Sequence, residues 1–341
     1  MKTVYAPFYL SFFCTLLLSN INLVGQETKS SSGLSLIDES FFFAGASTSL
    51  LDANKVELNL LSSFTSYWLA LRTQFGEGPV FDRRRLTEFT SILEGYYGFA
   101  YNDRDGFSHN GRLNFGVRIK YSQRRIDNNA SSSPFKVFQF KEAEENKVNI
   151  DRTYNGVTGI GLRLRIIPFE NIPALVLNGG YTFATVTSEE YQRNLAADRN
   201  MFDLTASYYL KMSPNSYYLF TANGAFWHPS GTGVTTRTSD DWLFNAGSSF
   251  FLVHYFYNQY IMLYPGLSYN ISFKPPDILE QPLIKTNEQV FGLVGLQYQD
   301  KKGFSVNTTI SYPLLIETYS LGIEQVRASY SSITLGFRKV F

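Results

Sequence analysis

Arg112-Leu113-Asn114-Phe115-Gly116-Val117-Arg118-Ile119-Lys120-Tyr121 alternates with a period of two. Leu113, Phe115, Val117, Ile119 and Tyr121 take one side of an extended chain, and Arg112, Asn114, Gly116, Arg118 and Lys120 take the other. The first face is too continuously apolar for water, and the second carries three cations that no soluble core accepts cheaply. A wall between lipid and a polar lumen suits both, so the stretch reads as a strand of a transmembrane β-barrel. Phe202-Asp203-Leu204-Thr205-Ala206-Ser207-Tyr208 and Phe304-Ser305-Val306-Asn307-Thr308-Thr309-Ile310 repeat the pattern.

Extending this reading along the chain predicts twelve strands: 55–71, 86–101, 111–125, 152–167, 173–187, 199–212, 216–227, 241–255, 259–273, 287–299, 303–315 and 327–341. Their connections alternate in length. Segments 72–85, 126–151, 188–198, 228–240, 274–286 and 316–326 are long, whereas 168–173, 211–216, 257–259 and 300–303 are tight and 102–110 is intermediate. Short turns on one side and long loops on the other, with an even strand number, describe an all-β, antiparallel up-and-down barrel with both termini in the periplasm. A soluble sandwich or jelly roll also has many strands, but these usually run five or six residues. The strands here are long enough for a tilted bilayer crossing. Aromatic residues near predicted strand ends (Tyr97, Phe99, Tyr101, Trp242, Tyr255, Tyr257) fit interfacial girdles. Two features fit less well: Pro265 falls inside a predicted strand, and the strand from 55 loses clean alternation after Leu60.

Composition narrows the function. With 30 basic and 29 acidic residues the chain lacks the electrostatic footprint of a nucleic-acid binder. Lys2, the apolar run from Val4 to Leu18 and Leu23-Val24-Gly25 read as a signal peptide over 1–25, the alternative being a buried helix or single anchor. The only cysteine, Cys14, falls within that segment, so a processed chain has no thiol for catalysis or metal binding. Residues 26–54 then form a periplasmic segment or, through Phe41-Phe42-Phe43-Ala44-Gly45, a small plug, and 55–341 form the barrel.

The C-terminus, Thr334-Leu335-Gly336-Phe337-Arg338-Lys339-Val340-Phe341, resembles the terminal signal of Gram-negative outer-membrane barrels, in which a polar residue, a glycine two on and a final aromatic are read by the assembly machinery. Thr334, Gly336 and Phe341 match, and Lys339 departs from the apolar residue usual there. The chain is most similar to twelve-stranded channel and transporter-like barrels of Bacteroidota type. That resemblance implies outer-membrane location, contact with outer-membrane lipid and with the assembly machinery, and passage of a small-molecule solute.

Glu94, Arg112, Arg118, Lys120, Arg163 and Arg165 share the inward parity, with Gly159 and Gly161 leaving room beside them. Such a basic wall either attracts anionic solutes or pairs internally with Glu94, Glu57 and Asp203 as a structural ladder. If the 102–110 connection is centred on Gly106, Glu94 stands directly opposite Arg118. With no second acid predicted on these two strands, a positive field is expected to remain. The competing functions are a narrow channel or transporter, a structural or adhesive protein, and a lipid-modifying enzyme. Of His109, His228 and His254, only His228 is predicted at outer-leaflet height, and no nucleophile motif surrounds it. Metal-ligand spacings and a phosphate-cradling glycine loop are absent, so no cofactor is expected.

Overall fold

The computed structural model describes residues 42–43, 46–47 and 50–341, the last range without 52, 74–84, 103–107, 128, 130, 140–151, 170–171, 173, 189–190, 192–194, 196, 198, 230–241, 258–259, 275–283 and 319–322. The chain divides into Met1–Ile37, which holds the predicted signal peptide and lies outside the described residues, and Asp38–Phe341. Within the second unit, β1 (Phe42–Phe43) and β2 (Ala46–Ser47) pair as a minimal hairpin. Twelve strands follow: β3 (Val56–Thr73), β4 (Arg85–Asn102), β5 (Ser108–Asp127), β6 (Thr153–Ile166), β7 (Leu175–Ala184), β8 (Arg199–Ser213), β9 (Ser216–Pro229), β10 (Leu243–Phe256), β11 (Ile261–Lys274), β12 (Ile284–Gln299), β13 (Phe304–Thr318) and β14 (Ile323–Val340). Each predicted strand is present, the largest boundary difference being a β14 that begins at Ile323 rather than at 327.

Sequential neighbours pair antiparallel, and β14 returns to β3 to close the barrel. Closure continues past the ladder, where the Phe341 amide donates to the Val56 carbonyl at 2.9 Å. Every strand thereby finds two partners, which a bilayer requires because it offers no water to an unpaired edge.

The two faces separate as the alternation demands. Val117 is 52% exposed on the outer wall, whereas Glu57, on the inner face, is fully buried. Ile333, Leu335 and Phe337 face outward in β14. Lys339 shares their parity, and its ammonium donates to the Lys302 carbonyl of the neighbouring turn at 2.7 Å, so the departure from the terminal pattern is absorbed at the strand end. Pro265 is tolerated because the β10–β11 register runs to Phe251↔Gly266 and resumes at His254↔Leu263, while Pro265 still stands opposite Val294 on β12.

Three expectations change. Tyr255 is buried on the lumenal parity of β10 with Phe251 and Val253, so it lines the interior instead of joining an interfacial girdle. The lost alternation of β3 has a tertiary cause. Residues 131–139 belong to the long connection 126–151, which by its length and polarity reads as a solvated loop, yet they fold back onto the outside of the wall. There one turn of 3-10 helix, Pro134–Phe138, stacks Phe135 and Phe138 on Phe64 and sets Phe138 edge-on to Phe89. The outward polar residues Gln123 and Thr153 donate to the carbonyls of Val137 and Gln139, and Arg125 pairs with Asp127 at 2.8 Å. Ser66 and Thr87 are buried on the same outer face. Polar residues on the outer parity at this rim therefore meet protein, not lipid.

Candidate functional site

The β4–β5 register places Glu94 opposite Arg118, but not through symmetry about Gly106 alone: beside the turn Ala100 pairs with Asn110, a pairing centred one residue earlier, and an irregularity between Phe99 and Ala100 moves the ladder to Phe99↔Leu113 and Glu94↔Arg118. The Arg118 Nε donates to Glu94 Oε1 at 2.7 Å. β6 continues the row, with Arg118 opposite Gly161 and Gly116 opposite Arg163. Directly opposed side chains on one face of a sheet lie close enough to interact, so register alone assembles the first part of the site.

Curvature of the closed wall brings in the rest. Asp203, three strands further round on β8, accepts from Arg118 Nη1 at 3.2 Å and from Arg163 Nη1 at 2.5 Å, while Arg163 Nη2 donates to Asn178 of β7 at 3.0 Å. A second cluster centres on Glu57 of β3. Its Oε1 accepts from Arg165 Nη2 at 2.8 Å and its Oε2 from Arg338 Nη2 of β14 at 2.8 Å. Tyr96 joins the two clusters: its hydroxyl donates to Glu94 at 3.1 Å and its ring lies 3.4 Å beneath the Arg165 guanidinium. Glycine makes this possible, since a Cβ at Gly116 would come within 2.6 Å of the Tyr96 ring.

The network holds Arg118, Arg163, Arg165 and Arg338 against Glu57, Glu94 and Asp203. The cations are thus largely paired, in the internal ladder with Glu94, Glu57 and Asp203 that was one of the two readings of this wall; what changes is the expectation, drawn from the hairpin alone, that Glu94 would be the one acid beside them. That expectation considered one hairpin, whereas the acids come from strands across the ring. Lys120 lies on the same inner face, opposite Ile92 and Gly159. The side chain of Arg112 lies outside the described residues.

The opposite side of the lumen was not anticipated. Near the ends of β9, β10 and β11 that carry the short turns, the inner face is apolar, with Tyr217, Leu219, Val253, Met262 and Tyr264 each at most 1% exposed. The signal lay in residues such as Leu219 and Met262 occupying the otherwise polar parity. On β13, both amide atoms of Asn307 and the hydroxyl of Ser305 are buried with no hydrogen-bond partner among the described residues. His228 and His254 stand apart from the lumen. His228 faces outward and shares a 2.7 Å hydrogen bond with the Tyr181 hydroxyl beside Trp242, and His254 meets Ser216 at 2.8 Å. The side chain of His109 lies outside the described residues.

No protein-family model and no curated protein matches the sequence. Solved structures do match the fold. The COG4313 outer membrane channel from Pseudomonas putida F1 is 13% identical with a TM-score of 0.55, covering 85% of this chain and 97% of that one. The β domain of the Bordetella autotransporter BrkA is 10% identical with a TM-score of 0.47, covering 84% and 99%. The P. putida toluene transporter TodX is 14% identical with a TM-score of 0.37, covering 85% and 91%. The first of these likenesses shows a shared fold, the closed antiparallel barrel of twelve strands.

Proposed function

We propose that the protein resides in the outer membrane and forms a narrow channel for small solutes, with a modest preference for anions. The supporting observation is the chemistry of the interior. A barrel serving only as a rigid wall gains nothing from burying Arg163, Arg165, Arg338 and Glu57 and the amide of Asn307, which has no partner among the described residues, because each buried polar atom without a partner costs free energy. Such groups suit an interior that water and polar solutes enter. Four guanidiniums against three carboxylates leave an excess of one positive charge in the network, Lys120 being offset by Glu88 of β4, and that excess favours anions over cations by the logic of charged rings in pores.

Planar-bilayer recordings test this reading. Resolved conductance steps are expected, and Glu94→Gln should move the reversal potential toward greater anion preference by removing one carboxylate from between Arg118 and Arg163. A conducting variant with an unchanged reversal potential would count against that role of Glu94. Silence from a correctly folded barrel would favour a structural or adhesive function.

The proposed partners are outer-membrane lipid and the barrel assembly machinery, the latter reading Thr334, Gly336 and Phe341. Phe341 is 62% exposed at the closing seam, so its ring is available to a receptor while its backbone holds β3. Phe341→Ser should lower the amount of heat-modifiable barrel far more than the rate of synthesis. Wild-type abundance of assembled protein would refute the recognition role.

A further inference from the structure

We propose that residues 131–139 form a lipid-embedded strap: Phe135 and Phe138 enter the hydrocarbon of the leaflet on the long-loop side, and lipid acyl chains are the partner of this face. The proposal rests on the reading that the barrel resides in a membrane, and it is independent of what the lumen conducts.

The wall beneath the strap has the wrong chemistry for lipid. Beside the long-loop ends of β7, β9 and β10 the outward residues are Tyr181, Phe226 and Trp242, the last two with ring centroids 4.6 Å apart. At the long-loop ends of β3, β4 and β5 the outward parity instead holds Ser66, Thr87, Gln123 and Arg125, each at most 5% exposed. Charged and polar side chains on a lipid-facing wall cost free energy, so these need a cover. The strap provides one and turns aromatic rings outward in their place. Phe135 is 66% and Phe138 44% exposed, and both stack on Phe64 of β3, at 5.5 and 5.9 Å. Phe64 continues on its own parity to the outward Leu60 and Leu58, so the aromatic surface of the strap is continuous with the lipid-facing wall.

Height along the strand agrees. Val56 stands opposite Tyr97, whose ring packs edge-on against Phe99 at 4.9 Å, and this aromatic pair marks the interface at the short-turn end. Phe64 follows Val56 by eight residues, which at ~3.4 Å per residue and a tilt of ~40° places it ~20 Å higher, within an apolar band ~25 Å tall. Phe135 and Phe138 share its level.

The backbone of the strap is equipped for that setting. Pro134 has no N–H to satisfy, the Lys136 amide donates to the Ser133 carbonyl at 3.2 Å, and the Gln139 amide donates to the Lys136 carbonyl at 2.9 Å. The carbonyls of Val137 and Gln139 accept from Gln123 at 2.5 Å and from Thr153 at 3.1 Å. Water would meet these groups for a solvated loop, whereas hydrocarbon leaves them to the protein.

The test attaches a nitroxide to Phe135→Cys in a Cys14→Ser background, with the full chain in phosphatidylcholine vesicles, and compares its collisions with oxygen, which concentrates in lipid, and with a water-soluble nickel chelate. Val117→Cys, outward in the middle of β5, is the lipid reference, and Lys301→Cys, exposed in a short turn, is the water reference. The ratio of oxygen to chelate collisions at position 135 should be several-fold above that at 301 and close to that at 117. A ratio at 135 equal to that at 301, with 117 still in lipid, would overturn the strap and leave the membrane reading standing. A label at 135 shielded from both reagents and broadened by a second nitroxide would also overturn it, by showing that another copy of the chain covers this face. Chelate access at 117 would defeat the membrane reading and the strap together. Heat-modifiable mobility establishes that each variant is folded, and Phe138→Cys takes the place of Phe135→Cys if the latter does not assemble.

Discussion

Glu57→Ala is expected to destabilise the assembled barrel by about 3–5 kcal/mol, the cost of leaving buried cations without their counter-charge. Glu57 is fully buried and its two oxygens divide between Arg165 of β6 and Arg338 of β14, so one carboxylate links strands on both sides of the β14–β3 closure. Neither guanidinium is positioned to recover the loss from water, since Arg165 is itself fully buried and Arg338 is 4% exposed. Denaturant unfolding in vesicles, followed by tryptophan fluorescence, measures the effect. Glu288→Gln serves as the comparison: its pair with Lys285 sits at a partly exposed strand end and should contribute less than about 1 kcal/mol. Equal midpoints for the two variants would mean that the Glu57 cluster is hydrated and carries little of the closure. A double replacement of Glu57 and Arg338 that recovers part of the loss would identify the uncompensated charge as its cause.

Gly295→Val should cost about 1–3 kcal/mol or more by overpacking, because the added side chain occupies the volume of the Tyr264 ring. Tyr264 is 1% exposed, and its hydroxyl shares a 2.7 Å hydrogen bond with Thr309 across β12. The ring has to leave that position, and the hydrogen bond goes with it. Gly292 lies on the same strand, where a Cβ would meet nothing closer than 3.9 Å. Gly292→Ala should therefore be close to neutral in the same unfolding measurement, and a loss equal to that of Gly295→Val would trace the effect to the strand backbone and not to the ring.

Much of this architecture was legible in the residues themselves. Period-two alternation is a local property, set by the two faces of an extended chain, so stretches such as 112–121 announce both their conformation and their lipid side. Alternating loop lengths then supply the antiparallel order, while the pairing of Glu94 with Arg118 that counting gives depends also on an irregularity between Phe99 and Ala100 that no count of the connection contains. The parity of Glu57 and Asp203 named them as candidate partners of the basic wall, but which cation each one meets was not legible in that way. Asp203 reaches Arg118 and Glu57 reaches Arg338 only because the sheet curves and closes, a relation that no local spacing encodes. The same holds for residues 131–139, whose packing makes Gln123 and Thr153 tolerable on the outer parity. The amino-acid order by itself determined which face of each strand meets lipid, because that choice is made residue by residue. Only the tertiary structure decided which charges neutralise one another and where the chain folds back on the wall, because those depend on distances that closure creates.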